Sequence, residues 1–220
     1  PNHPHPLRHA LPLFLLAGLF LASLDATAKW LLRDYSLLLV IWARYAGQML
    51  VVTPYALASE GLSVLRTRRL PLQLARSAML LLATICFFGG LSYLPLAEAT
   101  AISFLAPLFV VALSWPVLGE RARRARWASA LAGFLGVMIV LRPGSAVFHP
   151  AALLMVGMAL ADAFYGLLTR KLADENPLTS LVYSALVGTV GMTLALPFAA
   201  GAGLPSPRDG MLLFLLLGLL

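Results

Sequence analysis

Five ionisable residues interrupt stretches that are otherwise apolar: Asp25 and Lys29 in ASLDATAKW, Arg44 in VIWARYAG, Glu98 in LAEATAIS and Asp162 in ALADAFYG. A charge at the centre of a bilayer costs about 2.5–3.5 kcal/mol on insertion scales, so each points to function unless a structural partner accounts for it. The chemistry on offer is recognition of charge. A guanidinium can hold an anionic group, and a carboxylate can hold a cation or carry a proton. Asp25 and Lys29 stand four apart on one helix face, where they can pair with each other or meet a solute. Glu98 opens its run, where an acid complements a helix N-terminus. Arg44 lies about seven residues into its run, too deep to snorkel. It should face a polar cavity or pair with Asp25 or Asp162, and solute binding and helix bracing are both open to it. Asp162 has no basic residue one turn away, so it is a candidate for proton coupling or for a partner on a later helix. Tyr165, with Trp30, Trp42, Phe104, Trp115 and Phe164, could line a cavity or anchor helix ends. Covalent catalysis has little to work with. Cys86 has no nearby base, and His149, in a loop, is the one histidine outside the N-terminal tail.

The elements that carry these residues follow from composition. Of 220 residues, 60% are hydrophobic and 11% charged, and the mean hydropathy is +0.88. A soluble domain is about a quarter charged; this chain cannot cover a water-facing surface. Apolar runs near the spanning length of about 20 residues recur throughout. The expected fold class is an all-α integral membrane protein, a multi-helix transmembrane bundle. Spans are expected at about 11–30, 37–58, 77–94, 97–118, 127–141, 151–169 and 178–200. Ala26-Thr27-Ala28 after a basic Arg8 resembles a signal-peptide cleavage site, but the run is long and holds Asp25 and Lys29, so a retained helix is expected. The final run, Met211–Leu220, covers about 15 Å, half of a hydrocarbon core. With no initiating Met, the chain is expected to be a fragment that stops inside an eighth span. Pro107 should kink the fourth span and suit a gate. Ser129/Gly133 and Ala132/Gly136 offer faces for close helix packing. The single cysteine, Cys86, permits no intramolecular disulfide. His3, His5 and His9 sit in a proline-rich tail (residues 1–10) where disorder is expected rather than a metal site; no metal or other cofactor is expected.

Sixteen Lys and Arg against nine Asp and Glu could suggest nucleic acid, but position decides otherwise. With a cytoplasmic N-terminus, Arg8, Arg66, Arg68, Arg69, Arg76, Arg121, Arg123, Arg124, Arg126, Arg170 and Lys171 fall on the cytoplasmic side. Lys29, Arg33, Arg142 and Arg208 fall opposite, and Arg44 lies within a span. This is the bias of membrane topology. The arginine knot from Arg121 to Arg126 pins a loop at the membrane surface, where it can attract anionic lipid headgroups. The expected partners are a small solute and membrane lipids, with no nucleic acid; a homodimer is left open.

Two segments echo each other. ASLDATAKWLLR (Ala22 to Arg33) and ALADAFYGLLTR (Ala159 to Arg170) align without a gap, with Asp25 opposite Asp162 and Arg33 opposite Arg170. After a four-residue gap, Leu37, Trp42 and Gly47 fall opposite Leu178, Tyr183 and Gly188. If the first unit holds five spans, the second enters the membrane from the other side. That is the inverted repeat typical of secondary transporters.

The stretch LPLAEATAISFLAPLFVVALSWPVLGER (Leu94 to Arg121) resembles the fourth helix of EamA-domain proteins in the drug/metabolite transporter superfamily. The tight turn, the alanine-rich start, the mid-helix Ala-Pro-Leu and the closing Leu-Gly-Glu-Arg carry the likeness. The resemblance implies ten helices in a 5+5 inverted repeat, of which about seven and a half are present. The first unit would be residues 11–142, and an incomplete second would begin at 149–220. It also implies an N-terminus in the cytoplasm and a place in the inner membrane. Arg44 matches the arginine often found in the family's second helix, and Glu120 its glutamate at the end of helix four. SLDATAKW with VIWARY is similar to a bacterial subgroup of S-adenosylmethionine or riboflavin carriers. The function this implies is secondary transport of a small polar metabolite by alternating access. The rival readings are a non-transporting scaffold or sensor, and an intramembrane enzyme.

Overall fold

The computed structural model describes residues 7–120, 123–141 and 149–198. The expected eighth span, residues 1–6, Arg121, Arg142 and Arg208 lie outside them. The described residues form an all-α bundle, and five of its helical stretches are long and apolar enough to cross a membrane.

Local chemistry sets most helix ends. Helix α1 runs Leu7–Leu31. Ser36 opens α2 (Leu37–Glu60) by accepting a hydrogen bond from the Leu39 N–H. Gly61, at φ 64°, closes it, and its N–H donates to the Leu57 carbonyl before a short 3-10 turn at Gly61–Leu65. Helix α3 spans Leu70–Tyr93 with Pro71 in its first turn. After Pro95 come α4 (Leu96–Ser103) and α5 (Ala106–Leu118), the latter ended by Gly119 in the left-handed region at φ 74°. Then follow α6 (Arg124–Leu141), α7 (Ala152–Lys171) and α8 (Pro177–Ala195), whose N-cap Asn176 accepts from the Leu178 N–H.

Two expectations change. The third span begins at Leu70, not Ser77, and so takes in Arg76, whose side chain is buried (3% exposed) rather than part of a loop. The fourth span is not one kinked helix. Pro107 has no N–H to give the Ser103 carbonyl, and the chain tightens at Phe104–Leu105, with Phe104 N–H bonding Ala101 O (3.3 Å) and Leu105 N–H bonding Ile102 O (3.0 Å). Helix α5 then restarts with Pro107 in its first turn.

Side-chain contacts give the helix directions. Trp42, early in α2, bonds Thr193, late in α8, while Asn176 at the start of α8 bonds Glu60 at the end of α2. These two helices are antiparallel. Arg76 near the start of α3 bonds Thr169 near the end of α7, and Gly90 near the end of α3 approaches Met155 near the start of α7. This pair is antiparallel as well. Lys29, late in α1, instead reaches Leu91 and Leu94 at the end of α3, so α1 and α3 point the same way. Helices α1 and α7, which carry the echoed segments, therefore run in opposite directions.

The core has three centres. Tyr45, Phe88, Ile41 and Met192 pack among α1, α2, α3 and α8; Leu91, Leu94, Met155 and Ala161 pack among α3, α4 and α7; and Ala56, Val64 and Val182 close the end of the α2–α8 pair. Leu19, Tyr55, Ile139, Leu153 and Leu194 are exposed. An apolar surface of that kind is a liability in water and a solvated face in lipid.

Candidate functional site

A polar break in this apolar bundle is an open cavity of about 230 Å³ lined by α1, α2, α3, α4 and α7. Asp25, Arg44, Thr84, Thr100, Ser103 and Asp162 supply its polar lining, and Leu80, Ala83, Phe87 and Met158 its apolar lining. A larger groove of about 660 Å³ between α5 and α6 holds Pro107, Arg126 and Ser129 among alanines and valines. A third space of about 510 Å³ lies among the polar loops at residues 66–69 and 174–176; we place the site in the smallest of the three because its polar groups converge between the apolar helices themselves.

Each polar group has a local reason for its place. Arg44 lies about two helical turns into α2, with its guanidinium carbon 5.7 Å from the centroids of both the Tyr45 and Phe88 rings. The Thr84 hydroxyl donates to the Leu80 carbonyl at 2.9 Å. Its one hydrogen is thereby used, so Tyr45 OH (2.9 Å) and Arg44 Nη1 (3.3 Å) both donate into the same Thr84 oxygen. Thr84 is thus a fixed post that orients Arg44. Among the described residues this is the one hydrogen bond that Arg44 makes, leaving most of its five donors to the cavity. On α4, Thr100 bonds the Leu96 carbonyl and Ser103 the Thr100 carbonyl, which holds both hydroxyls at the broken end of that helix. A discontinuous helix beside a polar cavity is how membrane carriers expose groups to a solute.

Asp25, Arg44 and Asp162 are brought together; the other sequence candidates are not. Lys29 does not pair with Asp25. Its ammonium donates to the Leu91 and Leu94 carbonyls, the second at 2.9 Å, where a cation complements the C-terminus of α3. Glu98 lies in the first turn of α4, with Oε2 buried and without a hydrogen-bond partner among the described residues. Tyr165 faces Arg76, accepting from its Nη2 at 2.9 Å with the guanidinium 4.6 Å above the ring. Pro107 belongs to the α5–α6 groove. His149 accepts from the Ala151 N–H through Nδ1 and stacks on Tyr93.

Arg76 is what sequence reasoning missed. Besides Tyr165 it donates to Thr169 Oγ1 (2.7 Å), Ser180 O (3.0 Å) and Ser184 Oγ (2.9 Å). It ties α3 to α7 and α8, with its donors satisfied by protein. Arg44 and Arg76 are therefore opposites: one is saturated, the other is offered to the cavity.

Arg76 belongs to a wider seal. Thr67 Oγ1 (2.6 Å), the Arg68 N–H (3.2 Å) and Gln73 Nε2 (3.2 Å) all donate to the Glu175 carboxylate. Arg69 bonds the Lys171 carbonyl at 2.8 Å, Tyr183 OH bonds the Leu65 carbonyl at 3.0 Å, and Arg170 pairs with Glu120 at 2.8 Å. This end also carries the arginines counted for topology. The cavity lies away from that end, with Asp25 in the last turns of α1, Arg44 in the first third of α2, Thr100 and Ser103 in the closing half of α4, and Asp162 at the middle of α7.

The Thr67 hydroxyl above all, helped by Gln73 and the Arg68 and Arg69 N–H groups against a smaller effect of desolvation, holds the Glu175 carboxyl below the usual carboxylate range. A depressed folded-state value means that the seal gains stability from Glu175 above the ordinary carboxylate pKa and loses it as pH falls through the depressed value. In thermal unfolding from pH 7 to pH 3, the wild type is expected to lose more stability than Glu175→Gln. Parallel curves would contradict this.

Comparisons with known proteins come to the same place. The model of the EamA-like transporter family matches residues 9–142. A riboflavin transporter of Vibrio cholerae is 33% identical over 88% of this chain and 66% of its own length. An S-adenosylmethionine uptake transporter of Rickettsia bellii is 30% identical over 92% of this chain and 69% of its own. The chain thus spans about two thirds of the length of these relatives. A crystal structure with 24% sequence identity superposes at a TM-score of 0.72 over 93% of this chain and 73% of that one, which shows a shared fold.

Proposed function

This chain belongs to the EamA-like transporter family, and on that premise we propose that it forms the solute-binding part of a secondary transporter for a small polar metabolite. In this reading residues 11–142 are a first five-helix unit, 149–220 open a second of inverted topology, and the two rock about the cavity. The observation that carries the proposal is Arg44, a guanidinium with one protein hydrogen bond, facing a polar cavity inside an apolar bundle. Arg76 makes four hydrogen bonds to the protein, as expected of a bracing arginine, whereas an ionisable group with few protein partners beside a cavity points to a ligand. The hydrogen-bonded basic end supports a state closed on that side, with the cavity belonging to the other. Opposite directions of α1 and α7 support the inverted repeat.

The relatives carry riboflavin and S-adenosylmethionine, and a solute of that general kind, with polar groups on a flat ring system, suits hydroxyls and carboxylates set beside Phe87. By the positive-inside bias the basic end faces the cytoplasm of the inner membrane, its arginines lying against anionic lipid headgroups. Transport, not catalysis, is the role of the site, because its charged groups surround a space rather than activating a nucleophile.

Counterflow in vesicles tests this. The intact protein, reconstituted and preloaded with unlabelled S-adenosylmethionine or riboflavin, should concentrate the labelled compound transiently and saturably. A leak proportional to concentration would indicate a pore, and no flux beyond that of empty vesicles a scaffold.

A further inference from the structure

We propose that the cavity selects a solute with one net positive charge, namely an amino acid whose side chain carries a second cationic centre. Its carboxylate is held by Arg44 and its positive groups lie between Asp25 and Asp162. The inference rests on the transport reading and concerns which solutes that same cavity admits.

The argument is an asymmetry in the repeat. Asp25 and Asp162 align without a gap, and both line one cavity. Because α1 and α7 run in opposite directions, the repeat delivers the same acid to the site twice, once from each unit. The base is not repeated. The register that sets Trp42 against Tyr183 and Gly47 against Gly188 puts Ala185 opposite Arg44, and Ala185 is fully buried. Among the described residues the walls thus hold two carboxyl groups and one guanidinium.

With both acids ionised, the lining carries one negative charge in excess. Leu80, Ala83, Phe87 and Met158 complete the walls, and in such surroundings an unpaired charge is costly. A solute with one carboxylate and two cationic centres pairs every group. Arg44, committed to Thr84 through one N–H, keeps the planar fork that grips a carboxylate in two places. A zwitterion of no net charge leaves one acid without a partner, a neutral solute leaves one acid beyond the attraction of Arg44 for Asp25, and an anion adds repulsion. Among the described residues the elements packed around the cavity bring no second base to it: Lys29 is spent on the end of α3, and Arg76 on α7 and α8.

Matched pairs of compounds differing by one charge give the test. S-adenosylmethionine bears a sulfonium that S-adenosylhomocysteine lacks, and lysine an ammonium that norleucine lacks; riboflavin is an uncharged reference. In counterflow with the intact protein, at least one charged member should enter saturably. Its zwitterionic twin, of no net charge, should compete at least about tenfold more weakly, the loss expected when a charge in the site is left unpaired. Asp25→Asn and Asp162→Asn should each narrow the gap within a pair, a change of selectivity that a folding defect does not produce. Equal competition within the pairs, or entry of riboflavin alone, overturns the charge rule and leaves the carrier reading standing. Entry of none of the five compounds overturns both.

Discussion

Replacing Arg44 with alanine should abolish solute-dependent counterflow while leaving the protein folded. Within the protein, the substitution removes one hydrogen bond, at 3.3 Å to Thr84, and contacts over two rings at 5.7 Å. A hydrogen bond to a charged group is worth about 1.5–3 kcal/mol, towards the low end at this length, and each ring contact about 0.5–2 kcal/mol. Thr84 still accepts from Tyr45, so the α2–α3 contact survives. For a bound solute the loss falls on binding itself. Removing one partner of a buried charge pair costs about 2–5 kcal/mol, more than tenfold in affinity. Arg44→Lys keeps the charge but not the planar fork, and should fall between. Arg76→Ala is the contrast. It strips four hydrogen bonds from the α3–α7–α8 seal and should lower thermal stability first. Equal transport by wild type and Arg44→Ala would take Arg44 out of the site.

The second large effect is expected at Gly188. Helices α2 and α8 meet where this glycine faces the Tyr45 ring, and a Cβ there would fall within the ring's van der Waals envelope. Tyr45 is 1% exposed and tethered to Thr84, so the ring cannot turn aside. Gly188→Ala must separate the helices or displace the post that orients Arg44. Overpacking of this kind typically costs about 1–3 kcal/mol, and here it should depress both melting temperature and solute affinity. Gly90→Ala is a fair control. Its Cβ would meet the far end of the Met155 side chain, which can move, so the cost should be small. A Gly188→Ala protein that melts and transports like wild type would mean the two helices are not as close as described.

The site was legible in the sequence to the extent that charge in an apolar run is conspicuous. Asp25, Arg44 and Asp162 were singled out on that ground, and the bundle sets all three on one cavity. The direction of α7 relative to α1 was legible too, through an odd number of spans. Arg76 was not, because an arginine near the start of a span looks the same whether it faces water or is buried. Its partners Tyr165, Thr169 and Ser184 are ordinary in alanine-rich helices and distant in the chain. Lys29 was obscure for a related reason: its partners are the Leu91 and Leu94 carbonyls, and backbone acceptors leave no mark on composition. The break at Phe104–Leu105 was half visible. Pro107 announced a disturbance, but a lost N–H can be absorbed by a kink or by a tightened turn, and the choice depends on the packing of Thr100 and Ser103 around the cavity.

The central claim is that a solute occupies the space between Asp25, Arg44 and Asp162. Ser103 lines that space, and among the described residues its hydroxyl bonds within its own helix, so Ser103→Cys is close to isosteric. With Cys86 changed to serine, the rate at which a small thiol reagent modifies Cys at this position can be followed in lipid nanodiscs. A transported solute at saturating concentration should slow that rate several-fold, and Arg44→Ala should remove the protection. An unchanged rate at saturation, in protein that still carries the solute, would place the binding site elsewhere.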